Sequence, residues 1–389
     1  RTVNRNRPWG AFDSPAHSEA GRKIAEEGIV LLQNKHNLLP INLNTAKQIL
    51  VVGENAIKMM TIGGGSSSLK ALYEVSPLDG IRNCIGDKAE VVYARGYVGE
   101  ATAEQDGLKS AQNLSDSRSP QELISEAVGM AKEADYVIFV GGLNKHDGQD
   151  CEGNDRKSLD LPYGQDELIT ELSKANKNLI VVIVSGNAVA MPWVNEVPAI
   201  LEAWYSGSEA GNALANVLVG KANPSGKLPF SFPVKLTDIG AHAVGEYPGE
   251  GVGEDKQQTY HESFYVGYRW LDKQKTKPLF PFGHGLSYTT FAYGKPTADK
   301  SRMSLNDEIT FSISVKNTGS RAGAEVIQLY IADKKSSLPR PVKELKGFSK
   351  VFLQPGEEQL VSISIDREAL SYFDDKLHEW VAEPGEFEA

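Results

Sequence analysis

The sequence predicts an α/β domain, a mostly parallel sheet sandwiched by helices, followed by an all-β sandwich, and three observations predict it. Short, uniformly apolar runs bounded by turn residues recur through the first part of the chain, as strands buried on both faces do. Amphipathic helical stretches separate those runs, the alternation that builds a parallel sheet with helices on both sides. From about residue 299 onward the apolar period changes to two.

Strands are expected at residues 49–52, 91–94, 136–140, 179–184 and 200–204, and helices at 16–33, 120–134, 163–175 and 211–219. The first helix lies within "AHSEAGRKIAEEGIVLLQN". Its spacing puts Ala20, Ile24, Gly28, Leu31 and Leu32 on one face, expected to meet the core. Later, "ITFSISVKNTG" sets Ile309, Phe311, Ile313 and Val315 against polar neighbours, and "QLVSISIDREAL" repeats the device, so the last ninety or so residues read as an antiparallel sandwich. Residues 237–296, rich in Gly, Pro and aromatics, are too aromatic for a free linker and are expected to drape over the domains on either side. The expected organisation is therefore a short leading tail at 1–14, an α/β domain at 15–236, an irregular connecting segment at 237–296 and a β-sandwich at 297–389. No internal repeat or low-complexity tract interrupts it.

Composition narrows the partners. A chain of 389 residues that is 40% hydrophobic can bury ample core. Its net charge of -10 gathers no lysine and arginine cluster of the kind phosphate neutralisation requires, which argues against a nucleic-acid partner. No apolar run approaches the roughly 20 residues that cross a bilayer, so no membrane partner is expected. Cys84 and Cys151 are the only cysteines, so no disulfide framework holds the fold, which is neutral about compartment.

In open α/β sheets, ligands sit beyond the carboxyl ends of the strands, where loops and helix N-termini converge. Two loops occupy such positions. The first, "GGGSSSLKALYEVSPLDGI", has Gly63, Gly64 and Gly65 to let backbone approach a ligand, and Ser66, Ser67 and Lys70 as donors. It lacks both the GxGxxG spacing and the GK[ST] ending of nucleotide loops. The second, "VIFVGGLNKHDGQDCEGNDRKSLDLPYGQDELI", delivers Glu152 into a loop already holding Asp147, Asp150 and Asp155. Three readings compete there. One is a solvated acidic turn before a helix. Another is a metal site using His146, Asp147, Asp150, Cys151 and Glu152, whose spacing matches no zinc or calcium pattern. The third makes Glu152 a proton donor to a leaving-group oxygen, with a second carboxylate on the far side of a sugar. Lys145 and His146 either meet a leaving sugar or lie on an exposed loop. Trp204 either stacks on a sugar face or packs in the core.

Several segments, in order, resemble family 3 glycoside hydrolases, the β-glucosidase and β-xylosidase group. They are "AGRKIAEEGIVLLQNKHNLLPI", the glycine-serine loop, "CEGNDRKSLDLPYGQDELI", "SGSEAGNALANVLVGKANPSGKLPFSFP" and "PLFPFGHGLSYTTFAY". "VKNTGSRAGAEVIQLYI" is similar to the family's C-terminal fibronectin type III-like domain. The resemblance covers essentially the whole chain and implies an exo-acting retaining β-glycosidase acting on terminal non-reducing β-D-glucosyl residues of a β-glucoside or oligosaccharide, without cofactor or metal. It implies Glu152 as the general acid/base and a nucleophilic aspartate in an N-terminal (β/α)8 barrel, of which residues 1–14 are the expected tail. Asp150 stands where some members carry a second glutamate, and Ser66, Ser67, Lys70, His146 and Asp150 become candidate substrate contacts. Asp155 and Arg156 are expected to pair and hold the loop. "PGEFEA" is expected to stop inside the sandwich's last strand. A homodimer through "HAVGEYPGEGVGEDKQQTYHESFYVGYRW" and a periplasmic or extracellular location complete the expectations. The competing class is a noncatalytic carbohydrate-binding or assembly module that dispenses with the barrel.

Overall fold

Alternate residues of each apolar run go to opposite faces of one sheet, the consequence of an extended backbone's period of two. The structure, a computed structural model, describes residues 10–11, 13–61, 71–99, 112–144, 148–151, 155–245, 247, 249 and 257–389. Six strands form the sheet: β1 (Val30–Asn34), β2 (Gln48–Val52), β3 (Glu90–Ala94), β4 (Tyr136–Gly142), β5 (Leu179–Val184) and β6 (Ala199–Glu202). Their spatial order is β1-β6-β5-β4-β2-β3, with every neighbouring pair parallel except β1, which runs antiparallel to β6. Leu50, Val52, Phe139, Val181 and Ile183 pack on one face, and Ile49, Val51, Ile138, Val140, Ile180 and Val182 on the other. Burying each such side chain stabilises the fold by about 1.5–3 kcal/mol, which is why the central strands tolerate no polar residue.

Among the described residues, five helices cover the sheet: α1 (Pro15–Gly28), α2 (Pro77–Ile85), α3 (Pro120–Ala131), α4 (Gln165–Ala175) and α5 (Ala210–Leu218). The second and third start as their sequences dictate. Ser76 and Ser119 cap them, each followed by a proline preset for the first helical position, and Ser119 forms a full capping box with Glu122. The fourth begins at Gln165 rather than at residue 163, because Tyr163 and Gly164 both hold positive φ, 64° and 73°. Leu168, Ile169 and Leu172 of α4 join Ile124 and Ala127 of α3 on one face, while Leu78 and Ile81 of α2 meet Leu214 and Val217 of α5 on the other.

The first helix departs from expectation. It ends at Gly28, and residues 30–33, expected to be its last turn, form β1 (Val30–Asn34) instead. Ile29, Val30, Leu31 and Leu32 are all buried, a run that a helix would have spread around its circumference. Pairing with β6 buries every side of that run, and tertiary contact overrides helical periodicity. The face carrying Ala20, Ile24 and Gly28 is exposed rather than core-facing, with Ile24 at 74% exposure, and Ala25 is the buried residue of the helix.

Helices α2 and α5 meet backbone to backbone. A Cβ on Gly211 would lie 2.0 Å from the Ser76 carbonyl oxygen, and one on Gly80 would lie 2.1 Å from the Gly211 carbonyl. Gly211→Ala is therefore expected to destabilise by about 1–3 kcal/mol through forced separation of the helices. Gly129→Ala in α3, where an added methyl meets nothing within 4 Å, is expected to be neutral or stabilising. Thermal melts of the two variants side by side check the contrast.

Beyond the sheet, the chain passes through two short helices, α6 (Gly240–Ala243) and α7 (Tyr268–Gln274), and ties the two halves together. Leu286 N donates to Leu31 O at 2.8 Å, His284 Nε2 lies 2.8 Å from Leu32 O, and on the other side Leu345 N donates to the Tyr268 hydroxyl at 2.9 Å. The sandwich comprises β7 (Phe291–Tyr293), β8 (Thr297–Ala298), β9 (Ile309–Asn317), β10 (Gly323–Asp333), β11 (Glu344–Leu353) and β12 (Glu358–Ile365), then a one-turn helix α8 (Arg367–Leu370), a hairpin of β13 (Tyr372–Asp374) with β14 (Glu379–Val381), and β15 (Phe387–Glu388). Antiparallel sheets β12-β9-β7 and β11-β10-β15 enclose Val315, Ile327, Val351, Leu353 and Val361. The period-two signal of "ITFSISVKNTG" and "QLVSISIDREAL" thus corresponds to one pair, β9 with β12.

Candidate active site

Strands β2, β4, β5 and β6 end along one edge of the sheet, and buried polar residues gather there: Glu54 and Asn55 after β2, Asn144 after β4, Ser185 after β5 and Glu202 closing β6. Behind β4, the Gln165 side chain is fully buried and reads the strand's last residue, accepting from Gly142 N at 2.7 Å and donating to Gly142 O at 2.8 Å. The segment "LPYGQDEL" therefore locks the helix α4 to the strand that launches the acidic loop. Asn144 N donates to Gln149 Oε1 at 2.9 Å, Gln149 Nε2 donates to the Tyr163 hydroxyl at 2.6 Å, and Asp150 N donates to Asn144 O at 3.0 Å. Tyr163 itself stacks on the buried Tyr97 ring.

Of the residues singled out in the sequence, Ser66, Ser67, Lys70, His146 and Glu152 lie outside the described residues. Asp150 is described, and its carboxylate is engaged by protein. Gly186 N donates to Oδ2 at 2.6 Å, the Tyr205 hydroxyl to the same oxygen at 2.8 Å, and Asn187 Nδ2 to Oδ1 at 2.7 Å. A carboxylate offers about four acceptor positions, so three are taken without any sugar. Asp150 is therefore an anchor of the loop, with one acceptor position left over.

The expected Asp155–Arg156 pair is not formed among the described residues. Arg156 turns inward, donates to Ala188 O, and sits in the field of Asp150 and Tyr205. Burial lowers its pKa, against the opposing pull of those two groups. Asp155 instead accepts from the Tyr247 hydroxyl, and that bond, with burial, raises the phenol pKa to about 12. Trp204, at φ 56°, donates its indole N–H to Gly28 O at 2.9 Å and meets Phe230 edge-on, so its polar handle is already used in joining α1 to the edge of the sheet.

The residue that sequence inspection missed is Glu202, the last of β6. It is fully buried, and burial pushes its carboxyl well above the ordinary range, opposed by hydrogen bonds from Trp204 N and Ser185. Ser185 Oγ donates to Asn187 O at 2.8 Å and lies 3.2 Å from Glu202 Oε2. Its single proton is thus shared between these two acceptors. An acidic residue inside the apolar run "AILEAW" was the available signal. A raised folded pKa means stability that is full below the unfolded value near 4.5 and is lost as pH rises through the folded one. Glu202→Gln keeps the shape and the neutral form at every pH. It is expected to match the parent at pH 4 and to exceed it in denaturant midpoint at pH 8, with the gap opening above pH 4.5.

Among the described residues no three His, Cys, Asp or Glu side chains gather as a metal site, and no helix is long and apolar enough to cross a membrane.

Comparison with known proteins accords with this architecture. The glycosyl hydrolase family 3 C-terminal domain matches residues 29–288, and a fibronectin type III-like domain matches residues 325–389. The β-glucosidase BoGH3A of Bacteroides ovatus is 52% identical over 100% of this chain and 51% of its own length. The periplasmic β-glucosidase of Salmonella typhimurium is 38% identical over 96% of this chain and 48% of its own. A β-glucosidase from Streptomyces venezuelae, solved in complex with D-glucose, superposes with a TM-score of 0.86 at 30% identity, covering 99% of this chain and 59% of that one. The chain spans about half the length of the curated relatives it matches. The matched α/β domain, the matched sandwich and the full-length identity together place the chain in glycosyl hydrolase family 3, as its C-terminal α/β domain and fibronectin type III-like domain.

Proposed function

We propose that this chain supplies the general acid/base, Glu152, to an exo-acting retaining β-glucosidase whose nucleophilic aspartate resides in a (β/α)8 barrel that this sequence does not include. The observation that carries the proposal is 52% identity over the entire chain to a β-glucosidase, with Glu152 standing in a Glu-Gly-x-Asp-Arg pattern in the sequence that follows β4. In the first step the aspartate attacks the anomeric carbon of a terminal β-D-glucosyl residue while Glu152 gives its proton to the departing oxygen. In the second, Glu152 takes a proton from water as that water displaces the aspartate, which restores both carboxyl groups. Ser66, Ser67, Lys70 and His146 are proposed to meet the sugar or its leaving group, and a periplasmic or extracellular location follows the Salmonella relative's name.

The test compares substrates. Glu152→Ala in the complete enzyme should cripple kcat/KM for glucosides with poor leaving groups and spare kcat/KM for an activated aryl glucoside, whose glucosyl-enzyme forms without the acid; equal losses in kcat/KM on both overturn the assignment. A purified single species of 42.3 kDa that binds glucosides and hydrolyses none would support the noncatalytic module instead.

A further inference from the structure

Two side chains on either side of Glu152 reach across to the same turn. Asp150, two residues before it, takes Gly186 N and Asn187 Nδ2; Arg156, four residues after it, gives a hydrogen bond to Ala188 O. The turn they share follows β5 directly and is itself held, because Ser185 Oγ closes on Asn187 O and the buried Glu202 lies beneath. Tyr205, from the end of β6, adds the third donor to Asp150. The charged and titratable groups facing the Asp150 carboxylate are thus Arg156, Tyr205 and Glu202.

We propose that Asp150 is a positioning residue for the acid/base: with Arg156 it ties the chain on either side of Glu152 to the turn at 186–188, and so governs the presentation of Glu152 to the leaving group. This rests on the role given to Glu152 above. The chemistry needs such a bracket. Proton transfer requires heavy atoms within about 2.6–3.2 Å, and a misplacement of about 1 Å by a change elsewhere can lower rates about 10²-fold. A surface loop does not hold that tolerance unless its ends are fixed by a supporting set of hydrogen bonds on rigid elements. An aspartate is required because all three partners are donors; an asparagine would turn its NH2 toward at least one of them.

The experiment uses the complete enzyme, with kcat and KM for phenyl β-glucoside, a poor leaving group, and for 2,4-dinitrophenyl β-glucoside, whose phenolate departs without a proton. Asp150→Asn is expected to lower kcat/KM on the phenyl glucoside, which reports formation of the glucosyl-enzyme, about 10-fold or more beyond its effect on kcat/KM for the dinitrophenyl glucoside, and to move the alkaline limb of the kcat/KM pH profile. Tyr205→Phe, which removes one of the three donors and keeps the ring, is the second variant and should show a smaller split in the same direction. A Glu152→Ala enzyme that shows the leaving-group split beside Asp150→Asn and Tyr205→Phe enzymes that lose equally on both substrates, or lose nothing, overturns the positioning role alone. A Glu152→Ala enzyme without the split overturns the acid/base reading, and the positioning role with it.

Discussion

Replacing Glu152 by alanine is expected to slow turnover of alkyl and phenyl β-glucosides by about 10²–10⁴-fold, the range that a positioned general acid contributes. The size follows from the leaving group. An alkoxide or simple phenoxide must be protonated as it departs, and the missing carboxyl is the only proposed source of that proton. Dinitrophenolate needs no such help, so formation of the glucosyl-enzyme should fall far less with that substrate. Its breakdown is then slowed, since water has lost the base that activates it. Azide, which attacks without giving up a proton, is expected to restore turnover and to appear as glucosyl azide. Steady-state kinetics on the two substrates with and without azide checks every step. Absence of azide rescue together with equal loss on both substrates would reassign the carboxyl.

The largest structural effect is expected at Glu54→Ala. Glu54 follows β2, is 1% exposed, and accepts from Lys58 Nζ at 3.1 Å, Arg95 NH2 at 2.8 Å and Gly99 N at 2.6 Å. Lys58 and Arg95 are themselves buried, so removing the carboxylate leaves two cations without their common partner. Breaking a buried ion pair from one side destabilises by about 3–5 kcal/mol, because an uncompensated charge stays in the interior. For a domain of this size that is a fall of roughly 6–20 °C in melting temperature. Arg118→Ala breaks two ion pairs of similar length, to Asp116 and Glu126, on the open surface. Solvent screens those charges in both states, so its melting curve should superpose on the parent's. Equal shifts for the two variants would show that burial is not what gives the Glu54 cluster its weight.

The sheet's core strands were legible because their signal is local. "LIVVIV" and "YVIFV" are apolar on every residue, which only a strand covered on both faces requires, and "ITFSISV" alternates, which only a strand half exposed requires. Ser-Pro before "QELI" marked the start of α3 for the same reason, since a cap bonds within its own turn, while α2, which Ser76 and Pro77 open in the same way, was not among the expected helices. Where the signal is shared with a distant partner, local pattern failed. Residues 30–33 carry a spacing that fits a helix and become a strand because β6 is there to pair with them.

The site divides along the same line. Chain order alone put an acidic stretch directly after β4, because an apolar run and the polar residues that follow it are properties of the sequence itself, whereas it was resemblance to a family, and not spacing, that singled out Glu152 there. The tasks of Asp150, Arg156 and Glu202 were decided only by tertiary structure. Their partners, at positions 185–188 and 205, belong to other strands, and whether a carboxylate meets three donors, water or a sugar depends on groups that folding brings within 3 Å. A carboxyl's protonation likewise depends on burial, and no residue carries its burial in its name.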